Sequence, residues 1–172
     1  QASFDALVER HESLRTVFRA NAEGEVEQVV RQRAGVDIPL IDLSSLPTVD
    51  RDARADEEAA RVAELPFDLT ADPLLRVALI RLHDETHLLV VVMHHIVSDG
   101  WSLKILVDEF AAHYRARANG QEPRLPPLPI QYADYAVWQR HWLEAGEKER
   151  QLDYWKAHLG SAQPVLQLPT DH

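Results

Sequence analysis

The chain contains no cysteine and only one methionine in 172 residues. Without thiols there is no disulfide framework, no thiolate nucleophile and no cysteine-ligated metal, a usage that fits the cytoplasm. Positive charge is also scarce, with 18 Lys and Arg against 28 Asp and Glu for a net charge of −10. That balance argues against a nucleic-acid partner, whose phosphates are held by clustered Lys and Arg, and gives no footing on an anionic membrane. Long apolar runs are missing too. The longest, Leu88 to Met93, is far too short to span a bilayer, and the first residues lack the basic-then-apolar pattern of a signal peptide.

What remains is an ordinary globular composition, 45% hydrophobic, at a length that suits one compact domain with a real core. The chain opens without an initiator Met inside an amphipathic pattern. It stops at the turn-like Leu168-Pro169-Thr170-Asp171-His172, so it is expected to be an excerpt of a longer protein. No internal repeat is present, and the only biased segment is a connector carrying Pro123, Pro126, Pro127 and Pro129.

Phe4, Leu7, Val8, His11 and Leu14 recur at helical spacing and predict an amphipathic first helix. Residues 15–20 and 25–31 read as two strands joined by the turn-forming Asn21-Ala22-Glu23-Gly24, a hairpin. Residues 36–43 are a further extended candidate. Residues 50–65, dense in Ala, Asp, Glu and Arg, predict a solvent-facing helix ended by Pro66. Residues 74–82 and 87–95 carry the strongest strand signals and predict an antiparallel pair. The unbroken hydrophobicity of Leu88 to Met93 predicts a strand buried on both faces, at the centre of a helix-covered sheet. After Gly100, the positions Leu103, Leu106, Val107, Phe110, Ala111 and Tyr114 predict a helix packing on that sheet, ended by Asn119-Gly120. Two more helices are predicted over 132–143 and 147–159, broken at Gly146. The fold class is therefore α/β.

The chemistry concentrates in His94-His95-Ile96-Val97-Ser98-Asp99-Gly100-Trp101-Ser102, at the end of the most apolar strand and before a strong helix. Polar groups at a strand end in an α/β sheet often face a ligand crevice. Metal binding is disfavoured, because successive strand residues point to opposite faces and His94 and His95 cannot readily converge on one ion. Ser98 or Ser102 as a nucleophile lacks a G-x-S-x-G context. A general-base or hydrogen-bonding histidine remains, suited to deprotonating an amine or hydroxyl. Asp99 is expected at a buried turn, capping the next helix or pairing with an arginine. Gly100 is expected to allow a tight turn or a close ligand approach.

At this point the sequence resembles the condensation domains of nonribosomal peptide synthetases. Their HHxxxDG hallmark stands here as MHHIVSDGWS. Two further patterns occur in order: Arg10-His11-Glu12-Ser13-Leu14-Arg15-Thr16-Val17-Phe18 is similar to RHExLRTxF, and residues 132–138 are similar to YxDYAxW. Residues 66–69 and 73–76 resemble the family's connecting segment. The resemblance implies the first of two chloramphenicol acetyltransferase-like lobes, with a mixed, largely antiparallel central sheet covered by helices, spanning residues 1–172. It lacks the family's earliest motif and its C-terminal lobe. It further implies amide formation between donor and acceptor thioesters held on carrier proteins. Each carrier supplies its own 4'-phosphopantetheine, so neither a permanently bound cofactor nor a metal is implied. His95 would act on the acceptor amine, with His94, Asp99, Gly100 and Arg15 in support and Asp99 paired with Arg15. The adjacent lobe and an adenylation domain would be partners in the same synthetase.

Other readings stay open: an epimerisation or starter-acylation domain, a coenzyme A-dependent acyltransferase, and a noncatalytic docking module. The DxxxxD form of heterocyclising relatives is absent. His94 is expected to point away from the cleft as a satisfied core group, and Arg10, His11 and Arg15 to organise the fold. Tyr132, Tyr135, Trp138, Trp142 and Trp155 are expected to be core or helix-packing residues rather than a binding box. His113, His141, His158 and His172 show no partner pattern and are read as surface or incidental.

Overall fold

A computed structural model describes residues 1–32 and 35–161. The terminal turn at 168–172, with His172, lies outside them. Two units are resolved, residues 1–131 and a second beginning at Tyr132.

In the first unit, helix α1 (Ala2–Arg10) buries Phe4, Leu7 and Val8, three of the positions at helical spacing. A 3-10 turn (Glu12–Arg15) places Leu14 in the same core. The hairpin forms as the turn signal predicts: β1 (Thr16–Ala20) pairs antiparallel with β2 (Val26–Val30), and the Asn21 side chain accepts from the Glu23 and Glu25 amides across the turn. Gly24 sits there at φ 82°, a backbone region that suits glycine.

The main sheet has the order β3-β4-β5. Strand β3 (Leu40–Asp42) runs parallel to β4 (Leu75–Arg81), and β5 (His87–Met93) runs antiparallel to it, from Leu75↔Met93 to Arg81↔His87. This is a mixed α/β architecture, as the sequence implies. The buried centre is β4 rather than β5: Val77, Ala78 and Ile80 are fully buried, whereas Leu88, Leu89 and Val91 of the edge strand β5 stay exposed. Alternation along β4 divides the interior. Leu75 and Val77 join the cluster of α1, and Ile80 joins Leu43 and Ala55 on the other face.

That second face is covered by α2 (Thr48–Glu64), which buries Arg51, Ala55, Glu58 and Val62 in one stripe. The expected solvated face is thus only part of this helix. Its two buried charges are tolerated because Arg51 donates to the Leu46 carbonyl (2.6 Å) and meets His83, while Glu58 is paired with Arg54 and Arg61.

Helix α3 (Gly100–Ala118) packs Leu106 and Phe110 on the α1 cluster, with the Phe4 and Phe110 rings 4.5 Å apart. The stripe that turns inward is narrower than the predicted one: Leu103, Val107 and Tyr114 are exposed, and Glu109 and His113 take inward positions instead. His113 is 8% exposed with neither ring nitrogen hydrogen-bonded, so it is no surface residue. Burial, helped by the nearby Arg117, holds its imidazole below the usual value and favours the neutral ring.

The second unit comprises α4 (Tyr132–Trp142), a π-helical turn (Leu143–Glu147) and α5 (Lys148–Leu159). The break falls at Gly146, φ 109°, where the sequence places it. Against the expected core role, Tyr132, Tyr135, Trp138, Trp142 and Trp155 are all exposed among the described residues. Several stack on one another instead, Trp138 on Trp142 at 5.8 Å, because this unit has no described buried residue to cover them.

Candidate active site

The segment from His94 to Gly100 is held at both ends. Met93 and Val97 pack against the α1 cluster, and the His94 amide extends the β4–β5 ladder by donating to the Leu74 carbonyl (3.1 Å). Two apolar anchors four residues apart leave His94, His95 and Ile96 between them to form a turn, closed by Val97 N–H donating to the His94 carbonyl (3.1 Å).

Side-chain chemistry inside this turn defines the two imidazoles. The Ile96 amide donates to Nδ1 of His94 (3.0 Å), so that nitrogen is unprotonated and the neutral ring carries its proton on Nε2. Nδ1 of His95 lies 3.0 Å from the Ser98 carbonyl. A carbonyl oxygen only accepts, so Nδ1 of His95 must carry the hydrogen, and in the neutral ring the lone pair rests on Nε2. His95 is exposed and His94 partly buried. The ring of His94 meets Phe67 edge-on at 5.8 Å, on the α2 side of the sheet. Among the described residues no group of three or more His, Asp or Glu side chains is placed to hold a metal ion.

Asp99 is the N-cap of α3. Its carboxylate accepts from the Ser102 amide (2.7 Å), while the Ser102 hydroxyl accepts from the Asp99 amide (2.7 Å), a reciprocal capping box. The expected cap is present, but the turn is exposed rather than buried, and Asp99 makes no ion pair with Arg15. Arg15 is committed elsewhere: its guanidinium donates to the Arg31 carbonyl and to Glu12 (3.3 Å), tying the 3-10 turn to the end of β2. The bonds from the Ser102 amide and hydroxyl hold the Asp99 carboxyl below its usual value. The cap therefore contributes stability above the ordinary carboxylate range and loses it as pH falls through the lowered folded-state value. Asp99→Asn, which keeps an accepting side chain, is expected to preserve turnover and remove this acid sensitivity; Asp99→Leu is expected to fray the first turn of α3, read as faster amide hydrogen exchange at residues 100–103.

Gly100 begins α3 without a left-handed φ, and a Cβ there would meet nothing within 4 Å. Among the described residues, neither a tight turn nor crowding demands glycine there. Ser98 uses its hydroxyl to donate to the His94 carbonyl (3.2 Å), not to His95.

A buried tie between α3 and the end of α1 was not legible in the sequence. Glu109 on α3 receives Arg10 Nε (3.1 Å) and stands 2.6 Å from Nε2 of His11, all three side chains largely buried. Arg10 and His11 do organise the fold, and their partner was legible only as one acid within an amphipathic helix.

Comparison with known proteins places this geometry. The Condensation domain family model matches residues 1–172, and the chain belongs to that family of nonribosomal peptide synthetase domains. It is 43% identical over 171 residues to a linear gramicidin synthase of Brevibacillus parabrevis, covering 99% of this chain and 2% of that protein. To chondramide synthase cmdD of Chondromyces crocatus it is 45% identical over 172 residues, 100% of this chain and 4% of that protein. Among solved structures, it is similar to the epimerization domain from the third module of tyrocidine synthetase B, with a TM-score of 0.85 and 29% identity over 98% of this chain and 38% of that one. The X-domain of teicoplanin biosynthesis, solved in complex with OxyB, gives 0.83 and 32% over 99% and 37%. The chain thus spans a few per cent of these curated relatives and little over a third of the solved chains. No helix among its described residues is long and apolar enough to cross a membrane.

Proposed function

We propose that residues 1–172 are the N-terminal lobe of a condensation domain that forms an amide between two carrier-bound thioesters, with His95 as the reacting side chain. The observation that carries this reading is the tautomer of His95, whose Nδ1–H is engaged by the Ser98 carbonyl and whose Nε2 lone pair is left at an exposed loop. The acceptor amine attacks the donor thioester carbonyl, Nε2 of His95 takes the amine proton, and the donor's phosphopantetheine thiolate leaves and is protonated. The carriers bring the 4'-phosphopantetheine arms. An adjacent C-terminal lobe supplies the facing wall of the cleft, an adenylation domain of the same synthetase loads the acceptor carrier, and the site of action is the cytoplasm. Asp99 supports the loop as a helix cap, His94 from behind and Arg15 at a distance through the hairpin. Gly100 leaves open space at the start of α3 for a passing substrate.

The test is mass spectrometry of the intact synthetase with both carriers loaded. A new dipeptidyl thioester on the acceptor carrier is the expected product, and the isolated 172 residues are expected to give none. Inverted stereochemistry of a single loaded residue without coupling would assign an epimerisation domain instead; acyl transfer from coenzyme A, or no chemistry at all, would assign the other readings.

A further inference from the structure

We propose that Arg76 and Phe67 are positioning residues for His95, acting through the ring of His94. This rests on the reading of His95 as the reacting group. Arg76 lies on the central strand β4, opposite Val92 of β5, and strand alternation brings it to the same face as His94 two residues on. Its guanidinium is fixed by three backbone carbonyls where α2 ends: Leu65 (2.7 Å), Pro66 (3.0 Å) and Val62 (3.2 Å). Thus immobilised, it lies 4.2 Å from the centre of the Phe67 ring, a cation over an aromatic face. Phe67 in turn meets His94 at 89°, 5.8 Å between ring centres, the edge-to-face arrangement that aromatic pairs prefer.

A pinned His94 ring keeps Nδ1 where the Ile96 amide can reach it. The His94 carbonyl then accepts from both the Val97 amide and the Ser98 hydroxyl, which sets the Ser98 peptide. The Ser98 carbonyl is the group that holds Nδ1–H of His95. The links from Arg76 to His95 are thus contacts joined through the backbone of His94 and Ser98, and the last one decides which nitrogen carries the lone pair. If Arg76 only finished α2, its variants would change stability and leave His95 as it is.

The experiment uses the intact synthetase carrying Phe67→Leu, Arg76→Gln or Phe67→Tyr. Phe67→Leu removes the ring; Arg76→Gln keeps a donor for the carbonyls and removes the cation. Both are expected to lower kcat about tenfold, with KM for the loaded carriers within about twofold, because binding is intact and the reacting group is misplaced. Phe67→Tyr, which keeps the ring edge, is expected to retain wild-type kcat. A second readout needs no turnover: diethyl pyrocarbonate attacks the lone pair of a neutral imidazole, and peptide masses report modification of His95 relative to the exposed His87. Loss of the Nδ1–H tether lets part of the population hold the lone pair on Nδ1, so the His95 to His87 rate ratio is expected to fall about threefold in Phe67→Leu and Arg76→Gln. An unchanged ratio in either folded variant overturns the proposal, whether or not kcat falls. Should Phe67→Leu not fold, Arg76→Gln decides alone. Because the ratio is independent of synthesis, it still tests positioning if His95→Ala proves active, an outcome that would remove the catalytic reading instead.

Discussion

His95→Ala is expected to lower amide formation on the intact synthetase by about 10²–10⁴-fold, the range a positioned acid–base side chain contributes. The exposed loop holds one imidazole whose Nδ1 is tied to a carbonyl and whose Nε2 is free, and alanine removes both features while leaving the backbone turn intact. That turn depends on the His94 carbonyl, the Val97 amide and the Ser98 hydroxyl, none of which involves the His95 side chain. The loss should therefore fall on kcat, with unfolding and carrier affinity little changed, as single-turnover kinetics and denaturant unfolding would report. A folded His95→Ala variant with wild-type turnover would remove this residue from the chemistry.

The largest expected effect on stability lies at Glu109. Its carboxylate is shared by Arg10 and His11, and the three side chains are only 14–17% exposed. Glu109→Ala leaves a guanidinium without its partner in a poorly solvated place, and removing one member of such a group costs more than the pair contributes while intact. A loss of about 2–3 kcal/mol is expected from urea unfolding, discounted from a fully buried pair because some solvent reaches the site. The contrast is the exposed pair of Lys104 and Asp108 on the same helix, 2.6 Å apart but 78% and 64% exposed. Lys104→Ala there is expected to cost under about 0.5 kcal/mol. Since α3 begins with the Asp99 cap and holds α1 through Glu109, the Glu109 variant is also expected to loosen the segment that presents His95, seen as faster amide exchange across 94–100.

Much of the local architecture was legible because local physics decides it. Asn21 to Gly24 makes a hairpin from turn chemistry alone, Gly146 interrupts a helix because its backbone adopts a positive φ, and Asp99 with Ser102 caps α3 through contacts three residues apart. Positions were less legible wherever the answer lay in another element. The apolar run of Leu88 to Met93 resembles a central strand, yet it forms an edge, since hydrophobicity records that a face is to be covered and not which neighbour covers it. Arg51 and Glu58 lie in a charge-rich segment that reads as solvated, but ion pairing and carbonyl bonds let them face the sheet. His113 carries no motif and is buried because α3 rotates that side toward α1. The pairing of Asp99 with Arg15, implied by family resemblance, gives way to Ser102 for the one and Glu12 with Arg31 for the other.

The sequence by itself determined the family, the α/β class, the element order and the identity of the histidine segment, because motif order and residue periodicity are properties of the chain. Only the tertiary structure decided which ring nitrogen of His95 is free, that Phe67 and Arg76 stand behind His94, and that Glu109 joins α3 to Arg10 and His11. The first depends on a hydrogen-bond direction inside the loop, three residues apart, and the others on contacts between residues up to about a hundred positions apart. Residue pattern encodes neither; the long-range contacts exist once β4, β5, α2 and α3 have packed and each polar group has found its partner.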